Sequence, residues 1–288
     1  MAIEPGKIYP LSPLVRRITA PNGGLMTGYG TNTYLVGNEE IAVVDPGPAI
    51  DSHIEAILSE ARGRIKWVLV THTHPDHSPA ARAIIEATGA KPMGSVLSPD
   101  DGHQDISFAV DKNIRHGDRL TTAEFTLEAL FTPGHVGNHF CYLLKEENLL
   151  FAGDHLMDGV SVVIIPPSGD LKDFMDSLNL LKNFAIDAIA PAHGMIMDKP
   201  QDEIDTLIRH RQFREQKVIT ALRKQGTASV ESLVVDAYDD VETERHKVAA
   251  YSLWAHLLKL EREGRASFNR CAQSEYAATL WRSVSTSS

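Results

Sequence analysis

Apolar runs alternate with turn residues and helical patterns along the first 200 residues of the chain. The runs TYLVG (33–37) and IAVVDPG (41–47) are joined by the short connection NEE and predict two neighbouring strands. Apolar residues recur at helical spacing in 51–63, and IKWVLV (65–70) has the composition of a buried strand. This alternation predicts an α/β protein built from layers of strands and helices.

The same alternation continues further along the chain. A helix is expected at 80–89, with Ser78 as its N-cap and Pro79 in its first turn. Residues 91–118 are less regular, and SPDDGHQD (98–105) is expected to be a surface loop. The remaining runs predict strands and one helix: strands at 125–131, 140–145, 148–153 and 187–190, and a helix at 171–184.

The pattern changes after MDKPQDEID (197–205), a segment typical of a linker. A long helix is expected at 203–224, two further helices at 229–239 and 242–264, and a strand in RASFNRC (265–271). Three helices followed by a strand predict a small winged-helix-like module. We therefore expect two domains, residues 1–200 and residues 201–288.

Composition and charge narrow the class of protein. Hydrophobic content of 43% and charged content of 23% are ordinary for a soluble globular protein. Cys141 and Cys271 are far apart, and neither a secretory signal nor a membrane span is evident, so we expect a cytoplasmic protein that does not associate with membranes. Residues 1–200 carry 15 basic against 25 acidic residues, which disfavours a broad basic groove for nucleic acid. The oligomeric state is left open.

Histidine and aspartate residues follow four of the predicted strands. THTHPDHS (71–78) comes directly after the strand at 65–70, and TPGH, FAGDH and PAHG mark the ends of three later strands. Because the carboxyl ends of strands in an α/β sheet share one edge, these side chains are expected to converge. The candidate ligands are His72, His74, Asp76, His77, His135, Asp154 and His193.

This set of side chains predicts a metal centre. Imidazole nitrogens and carboxylate oxygens are typical ligands of Zn²⁺ and other first-row divalent ions. Five histidines and two aspartates exceed one tetrahedral site and suit two ions that share a bridging carboxylate. Two divalent metal ions are therefore expected, with Zn²⁺ as the first choice and Mn or Fe as alternatives.

The motifs resemble those of a known family. THTHPDHS matches the HxHxDH signature of the metallo-β-lactamase superfamily, and TPGH, AGDH and PAHG are similar to its later motifs in order and spacing. The resemblance covers residues 15–200 and implies an αββα sandwich as a catalytic domain. It also implies that Asp45 orients the ligand loop and that Asp154 bridges two sets of ligands: His72, His74 and His135 for one metal, and Asp76, His77 and His193 for the other.

Within the superfamily, the chain is most similar to the β-lactamase-like protein two subfamily. GTNTYLVG (30–37), HRQFREQKVI (210–219) and the order of the two domains carry this resemblance. It implies an endoribonuclease that cleaves single-stranded RNA. A cluster of basic residues on the long helix is either an RNA contact or a solvated helix face: Arg209, Arg211, Arg214 and Lys217.

Hydrolysis by a metal-bound hydroxide is the expected chemistry. Asp76 and Asp154 are the expected catalytic carboxylates, Asp76 by orienting the nucleophile. The resemblance favours single-stranded RNA as the substrate. The alternative is a small thioester, ester or lactone, which a compact acidic enzyme also fits. A β-lactamase is less expected without an export signal, and the full ligand set disfavours a non-enzymatic, metal-stabilised binding protein. Substrate contacts are expected in IIPPSGDLKDF (164–174) and around His103.

Overall fold

Two β-sheets lie face to face in the computed structural model, which describes residues 3–97, 102–269 and 279–284. Within these residues the first sheet contains, in spatial as in chain order, β1 (Ile8–Pro10), β2 (Val15–Thr19), β3 (Asn32–Val36), β4 (Ile41–Val44), β5 (Ile65–Leu69) and β6 (Lys91–Met93). The second contains β7 (Arg119–Thr121), β8 (Thr126–Phe131), β9 (Phe140–Leu144), β10 (Leu149–Gly153) and β11 (Ala188–Pro191). Its spatial order runs from β11 through β10, β9 and β8 to β7.

Helices cover the outer faces of both sheets. On the first sheet lie α1 (Asp51–Ala61) and α2 (Ala80–Thr88), and on the second lie α3 (Leu171–Leu181) and the first half of α4 (Pro200–Gln225). The inner faces meet in an aromatic and aliphatic core, and all residues of β9 and β10 are buried, as expected for strands enclosed by two layers. The expected αββα sandwich is confirmed.

The strand directions bring the ligand loops to one edge. β9 is antiparallel to both β8 and β10, and β11 is parallel to β10, so β8, β10 and β11 run the same way. In the first sheet, β4 and β5 are parallel neighbours. The loops that follow β5, β8, β10 and β11 therefore meet at one edge of the sandwich.

Buried tyrosines tie the two sheets together at this edge. The hydroxyl of Tyr142, on β9, donates to the carbonyl of Val70 at 2.9 Å, just before the first ligand loop. The hydroxyl of Tyr34, on β3, donates to the carbonyl of Pro191 at 2.7 Å, just before His193. Burial raises the pKa of both phenols, so both hydroxyls keep the proton that they donate.

The C-terminal residues form the expected winged-helix-like module. It comprises the second half of α4, β12 (Thr227–Ala228), α5 (Val230–Ala237), a 3₁₀ turn (Thr243–Arg245), α6 (His246–Arg262), β13 (Ala266–Asn269) and β14 (Leu280–Ser283). The strands form a sheet in the order β12, β14, β13. Helices and sheet enclose a separate core around Leu253, Leu257 and Trp281.

The linker predicted at 197–205 is wrong, because α4 already begins at Pro200. Proline suits the first turn of a helix, and acidic residues at 202 and 203 favour a helix amino terminus. Ile204 packs in the core on the second sheet, while Val218 and Leu222 pack in the C-terminal core. One continuous helix thus serves both cores, and the domain boundary at residue 200 stays a prediction.

The predicted N-cap at Ser78 is also wrong. The residue that precedes α2 is Pro79, and no side chain caps the helix. The Ser78 hydroxyl instead donates to Asp105 Oδ2 at 2.6 Å. The Ser78 side chain therefore binds a neighbouring loop and does not cap the first N–H groups of α2.

The basic residues of α4 do not form an open cationic surface. Arg211 and Arg214 are only 4% and 5% exposed. Arg214 Nη1 and Lys217 Nζ both pair with Asp240 Oδ1, at 2.7 and 2.8 Å. Arg209 is the exposed member of the set. The cluster works mainly as internal packing and pairing, which removes the sequence-based argument that it contacts RNA.

Among the helices of the described residues, none combines the length and the apolar composition needed to cross a bilayer. Cys141 is a free cysteine buried in β9, and burial raises the pKa of its thiol to about 12, which suits a packing role. Cys271, residues 98–101 of the expected surface loop and the last residues of the strand expected at 265–271 lie outside the described residues.

We expect Asp240→Asn to destabilise the protein by about 1–2 kcal/mol, because buried Arg214 loses a carboxylate that is itself partly open to solvent. The hydrogen bond from Arg214 holds the pKa of Asp240 below its ordinary value. This stabilisation is therefore present above the carboxyl's unfolded pKa and is lost as the pH falls through its folded pKa. Urea unfolding should show wild type and variant converging below about pH 4. Asp239→Asn, a change to an exposed neighbour, should have little effect, and equal losses in both variants would contradict the assignment.

Candidate metal centre

Seven side chains meet where β5, β8, β10 and β11 end. The loop after β5 supplies four of them, and the loops after the other three strands supply one each. Most are deeply buried, from 0% exposed for His72 and His77 to 8% for Asp154. The structure thus brings together all the candidate ligands of the sequence: His72, His74, Asp76, His77, His135, Asp154 and His193.

The first group consists of His72, His74 and His135. The Nδ1 atom of His74 lies 2.9 Å from Nε2 of His72 and 3.0 Å from Nε2 of His135. Two nitrogens bonded to one tetrahedral zinc ion at about 2.0–2.1 Å would be about 3.3 Å apart. Both distances are close to this spacing, and all three ring nitrogens lie within 4.8 Å of one another.

The second group consists of Asp76, His77 and His193. Asp76 Oδ2 lies 3.4 Å from Nε2 of His77 and 3.2 Å from Nε2 of His193. Asp154 lies between the groups, because its Oδ1 is 3.5 Å from His77 Nε2 while its Oδ2 is 3.6 Å from His135 Nε2. One carboxylate thus faces both groups, as a bridging ligand would.

The outward ring nitrogens of the histidines show which way their lone pairs point. His135 Nδ1 lies 2.9 Å from the carbonyl of Val163, and His193 Nδ1 lies 3.2 Å from the carbonyl of Gly30. Because a carbonyl can only accept, both rings carry their proton on Nδ1 when neutral. Each Nε2 lone pair is then free and directed into the centre.

Asp45 sets the same orientation for one histidine in each group. It is 2% exposed at the end of β4, and it accepts hydrogen bonds from the Thr71 N–H at 2.7 Å and the Thr71 hydroxyl at 2.8 Å. Its Oδ2 also accepts from His77 Nδ1 at 3.1 Å. Since the Thr71 hydroxyl donates to Asp45, its oxygen accepts from His72 Nδ1 at 3.1 Å. Asp45 lies where the superfamily resemblance implies a residue that orients the ligand loop.

A strap formed by residues 30–33 braces the second group. The Thr31 hydroxyl donates to Asp76 Oδ2 at 3.2 Å. The Asn32 side-chain amide donates to two backbone carbonyls of the PAHG loop, at 3.0 and 2.9 Å, on either side of His193. In the sequence alone, the GTNTYLVG motif is a mark of family resemblance and nothing more. Its functional signal is the polar TNT run at the start of a strand that is otherwise apolar.

Another residue that sequence reasoning missed is His139. It is fully buried beneath the centre, with its ring centroid 5.1 Å from that of His72. Its Nε2 accepts from the backbone N–H of Asp154 at 3.3 Å, so Nδ1 donates to Thr132 Oγ1 at 3.0 Å. Burial lowers the pKa of His139 well below its ordinary value, which keeps Nε2 free to accept. The only signal in the sequence is its position, four residues after His135.

The two groups differ in charge. Burial alone would raise the pKa of Asp76, but the charges of His77 and His193 outweigh it and lower that pKa below the carboxyl range. Burial alone would lower the pKa of His77 and of His193, but the neighbouring carboxylates raise both. In the first group burial dominates, and with the neighbouring His135 it lowers the pKa of His74 to about 3. The first group therefore offers neutral imidazoles, while the second surrounds its histidines with negative charge that a cation would balance.

Two buried atoms show that the donor set fits metal ions. Among the described residues, His77 Nε2 and Asp154 Oδ1 are enclosed and have no hydrogen-bond partner. Such orphaned groups are rare in native proteins and need an explanation. A cation between them would satisfy both, and nitrogen with carboxylate oxygen is the donor chemistry of zinc and related ions.

The loops expected to contact substrate lie against the ligand loops. Asp105 donates its N–H to the carbonyl of Thr73 at 2.6 Å, which places residues 102–107 beside the first ligand loop. Asp170 donates its N–H to the carbonyl of Gly134 at 2.8 Å, which places the end of the 164–174 segment beside His135. His103 does not belong to any of the ligand groups found among the described residues.

We expect Asp45→Asn to weaken metal binding by about 10- to 100-fold in both groups. The Thr71 N–H donates to Oδ1, and the Thr71 hydroxyl and His77 donate to Oδ2, so the NH2 of asparagine would face a donor in either orientation. Competition with a chromophoric chelator measures this affinity. Asp118→Asn is the matched control, since Asp118 accepts a backbone N–H in an exposed turn and belongs to none of the ligand groups. Unchanged affinity in Asp45→Asn would show that Asp45 does not position the ligands.

Comparison with known proteins gives the family. The model of the metallo-β-lactamase superfamily matches residues 26–193, and that of the β-lactamase associated winged helix domain matches residues 229–274. The first match contains the whole ligand set, and the second lies in the C-terminal module.

Individual proteins are similar over most of the chain. The lactamase-like protein aptB of Emericella nidulans is 32% identical over 88% of this chain and 83% of its own length. The β-lactamase-like protein 2 homolog of Drosophila melanogaster is 28% identical over 96% of this chain and 97% of its own length. A metallo-β-lactamase family protein from Thermus thermophilus shares the fold, with a TM-score of 0.76, 22% identity and coverage of 96% of this chain and 100% of that one. The chain therefore belongs to the metallo-β-lactamase superfamily, whose members are generally metal-dependent hydrolases.

Proposed function

We infer that the protein is a two-metal hydrolase of a small acyl compound, an ester, thioester or lactone that carries an apolar group. Zn²⁺ is the expected ion, with Mn or Fe as alternatives. The observation that carries this proposal is a loop of exposed apolar side chains anchored directly beside the metal centre.

The apolar loop, residues 22–29, is fastened at its base. Asn22 Oδ1 accepts the Thr31 N–H at 2.8 Å, and the Asn22 amide donates to the Thr31 hydroxyl at 2.9 Å. That hydroxyl in turn donates to Asp76, a candidate metal ligand. The loop also closes on itself through two glycine-to-glycine backbone hydrogen bonds of 3.1 and 2.8 Å. Hydrogen bonds therefore hold this loop in a defined position at the edge of the metal centre.

Large apolar side chains project from this border into solvent. Leu25, Met26 and Tyr29 are 84%, 60% and 57% exposed. On the segment after Asp154, Val160 and Ile165 are 61% and 37% exposed. Single exposed apolar residues are ordinary, but several around a polar centre are typical of a binding site with an apolar wall and a few placed polar groups.

The proposed chemistry divides between the metals and the protein. Two divalent ions held by the ligand groups would supply hydroxide from bound water near neutral pH and stabilise negative charge on the substrate oxygen. The side chain of Asp76 is 28% exposed against 11% for Asp154, so Asp76 lies nearer the opening. Fixed by Thr31, the carboxylate of Asp76 can orient an attacking water. Asp154 stays buried between the two groups and holds them together.

Cleavage of single-stranded RNA is the second candidate. The resemblance to the β-lactamase-like protein two subfamily favours it, and the match to the Drosophila homolog extends over 96% of this chain. Burial of Arg211 and Arg214 removes the cationic helix face that an RNA backbone would use, and residues 1–200 are acidic. The small acyl substrate is therefore the better supported of the two.

We expect the purified protein to bind two equivalents of Zn²⁺ or Mn²⁺, one for each ligand group. His77→Ala should retain one equivalent and lose about 100-fold or more in hydrolytic activity, because removing a ligand costs more than removing a residue that orients one. Elemental analysis and a thioester assay measure the two effects. His116→Ala, which changes an exposed histidine outside the centre, should keep both ions. Less than one equivalent in the wild type, without uptake of added metal, would contradict the two-metal proposal.

We expect the double change Leu25→Ser and Met26→Ser to lower kcat/KM for a long-chain acyl thioester about tenfold, because apolar contact with the acyl chain is lost. An acetyl thioester should be affected less. Val235→Ser is the matched control, since Val235 is 59% exposed but lies on α5.

The wild type and these variants are also assayed with a single-stranded RNA and with lactones of different chain lengths. Equal losses on short and long acyl chains would contradict a role of the loop in substrate choice. Efficient RNA cleavage, with no hydrolysis of any acyl compound, would replace the acyl proposal by the RNA candidate.

A further inference from the structure

We propose that Arg211, on α4, is a positioning residue for the metal ligand His135, so that the helix that leads into the C-terminal module also supports the metal centre. The proposal rests on the two-metal centre proposed above. The connection runs through the two peptide carbonyls of Val162 and Val163.

The first link joins Arg211 to the segment that follows Asp154. Arg211 Nη2 donates to the carbonyl of Val162 at 2.5 Å. The next carbonyl along the chain, that of Val163, accepts from His135 Nδ1 at 2.9 Å. Val162 and Ile164 are buried, whereas Val163 between them is only partly buried. This alternation is typical of an extended segment. Successive carbonyls of an extended chain point in opposite directions, so the segment is held by Arg211 on one side and holds His135 on the other.

A second contact reaches the same ligand loop. The guanidinium of Arg211 lies 5.2 Å from the ring centroid of Phe174, on α3. The backbone of Phe174 presses against the turn that carries His135, because a Cβ added at Gly134 would come within 2.3 Å of Phe174 Cα. Gly134 also has a φ of 142°, which disfavours any other residue there. Arg211 therefore contacts both supports of the His135 turn.

The energetic setting of Arg211 favours a role beyond packing. It is 4% exposed, and the described residues place no carboxylate within ion-pair distance of it. A buried charge without an ionic partner is costly, and an apolar residue of similar volume often stabilises a protein more. Arg214, one turn along the same helix, is also buried but pairs with Asp240 and bonds to Ala237 inside the C-terminal module. Of the two buried arginines, Arg211 is the one that contacts the segment after Asp154.

The two arginines make a matched test. Arg211→Met and Arg214→Met each remove a buried guanidinium from α4 and keep most of its apolar stem. Metal affinity is measured by competition with a chromophoric chelator, and the visible spectrum of the Co²⁺-loaded protein reports the ligand geometry. We expect Arg211→Met to weaken binding about tenfold at the site of His72, His74 and His135 and to change the Co²⁺ spectrum. Arg214→Met should lower the Tm and leave both readouts as in the wild type.

Arg211→Lys covers the case in which Arg211→Met does not fold, since lysine keeps the charge and one donor. It should recover part of the lost affinity. A wild-type affinity and spectrum in both Arg211 variants would overturn the proposal while leaving the two-metal centre intact. Absence of metal binding by the wild type would instead be a failure of the proposed function.

Discussion

The buried carboxylate of Asp45 is the constraint on which the metal centre depends. β4 lies beside β5 in parallel, so a side chain at the end of β4 faces the loop that follows β5. The carboxylate has three donors, which offset the cost of burying its charge. Through Thr71 and His77 it controls a histidine of each ligand group. The loop at 71–78 is therefore arranged before any ion arrives, and little conformational entropy has to be lost on binding.

The remaining ligands come from the other sheet, which makes the relation between the sheets a second requirement. Tyr34, Tyr142 and Asn32 each cross from one sheet to the other within a residue or two of a ligand loop. A metal–ligand bond tolerates only a few tenths of an ångström of error. This narrow tolerance accounts for the many hydrogen bonds between the sheets at this edge. Elsewhere the interior between the sheets is apolar. The sandwich supplies the scaffold, and the hydrogen bonds at this edge fix the ligand loops on it.

Much of this could be predicted from local sequence. Apolar runs ending in histidine or aspartate identify the ligand strands, because strand period and turn chemistry are local properties. The supporting residues could not be found this way. Asn32 and His139 are polar side chains whose partners lie far along the chain, so their role exists only after the sheets are stacked. Ser78 is a favoured residue type for an N-cap and precedes a proline, yet a distant carboxylate competes successfully for its hydroxyl.

The basic residues of α4 illustrate the opposite error, in which a local pattern suggests a role that the fold does not support. Charges at helical spacing predict a solvated or ligand-binding face, but the pattern does not say what will pack on that face. Here α3, α6 and the segment after Asp154 cover it, and two arginines are enclosed. Long side chains can bury their stems and still reach a carbonyl or carboxylate. Charge on a helix is thus weak evidence for a nucleic-acid partner until its exposure is known.

The course of α4 through two cores limits how the C-terminal module could be exchanged for another. Its 26 residues form a rod about 39 Å long, with Ile204 in one core and Val218 and Leu222 in the other. Exchange of the C-terminal module for another would interrupt this rod or remove the part of the second sheet's outer cover that α4 provides. The helix therefore joins the two cores mechanically: a change at Ile204 acts on one core and a change at Val218 or Leu222 on the other, within one continuous element.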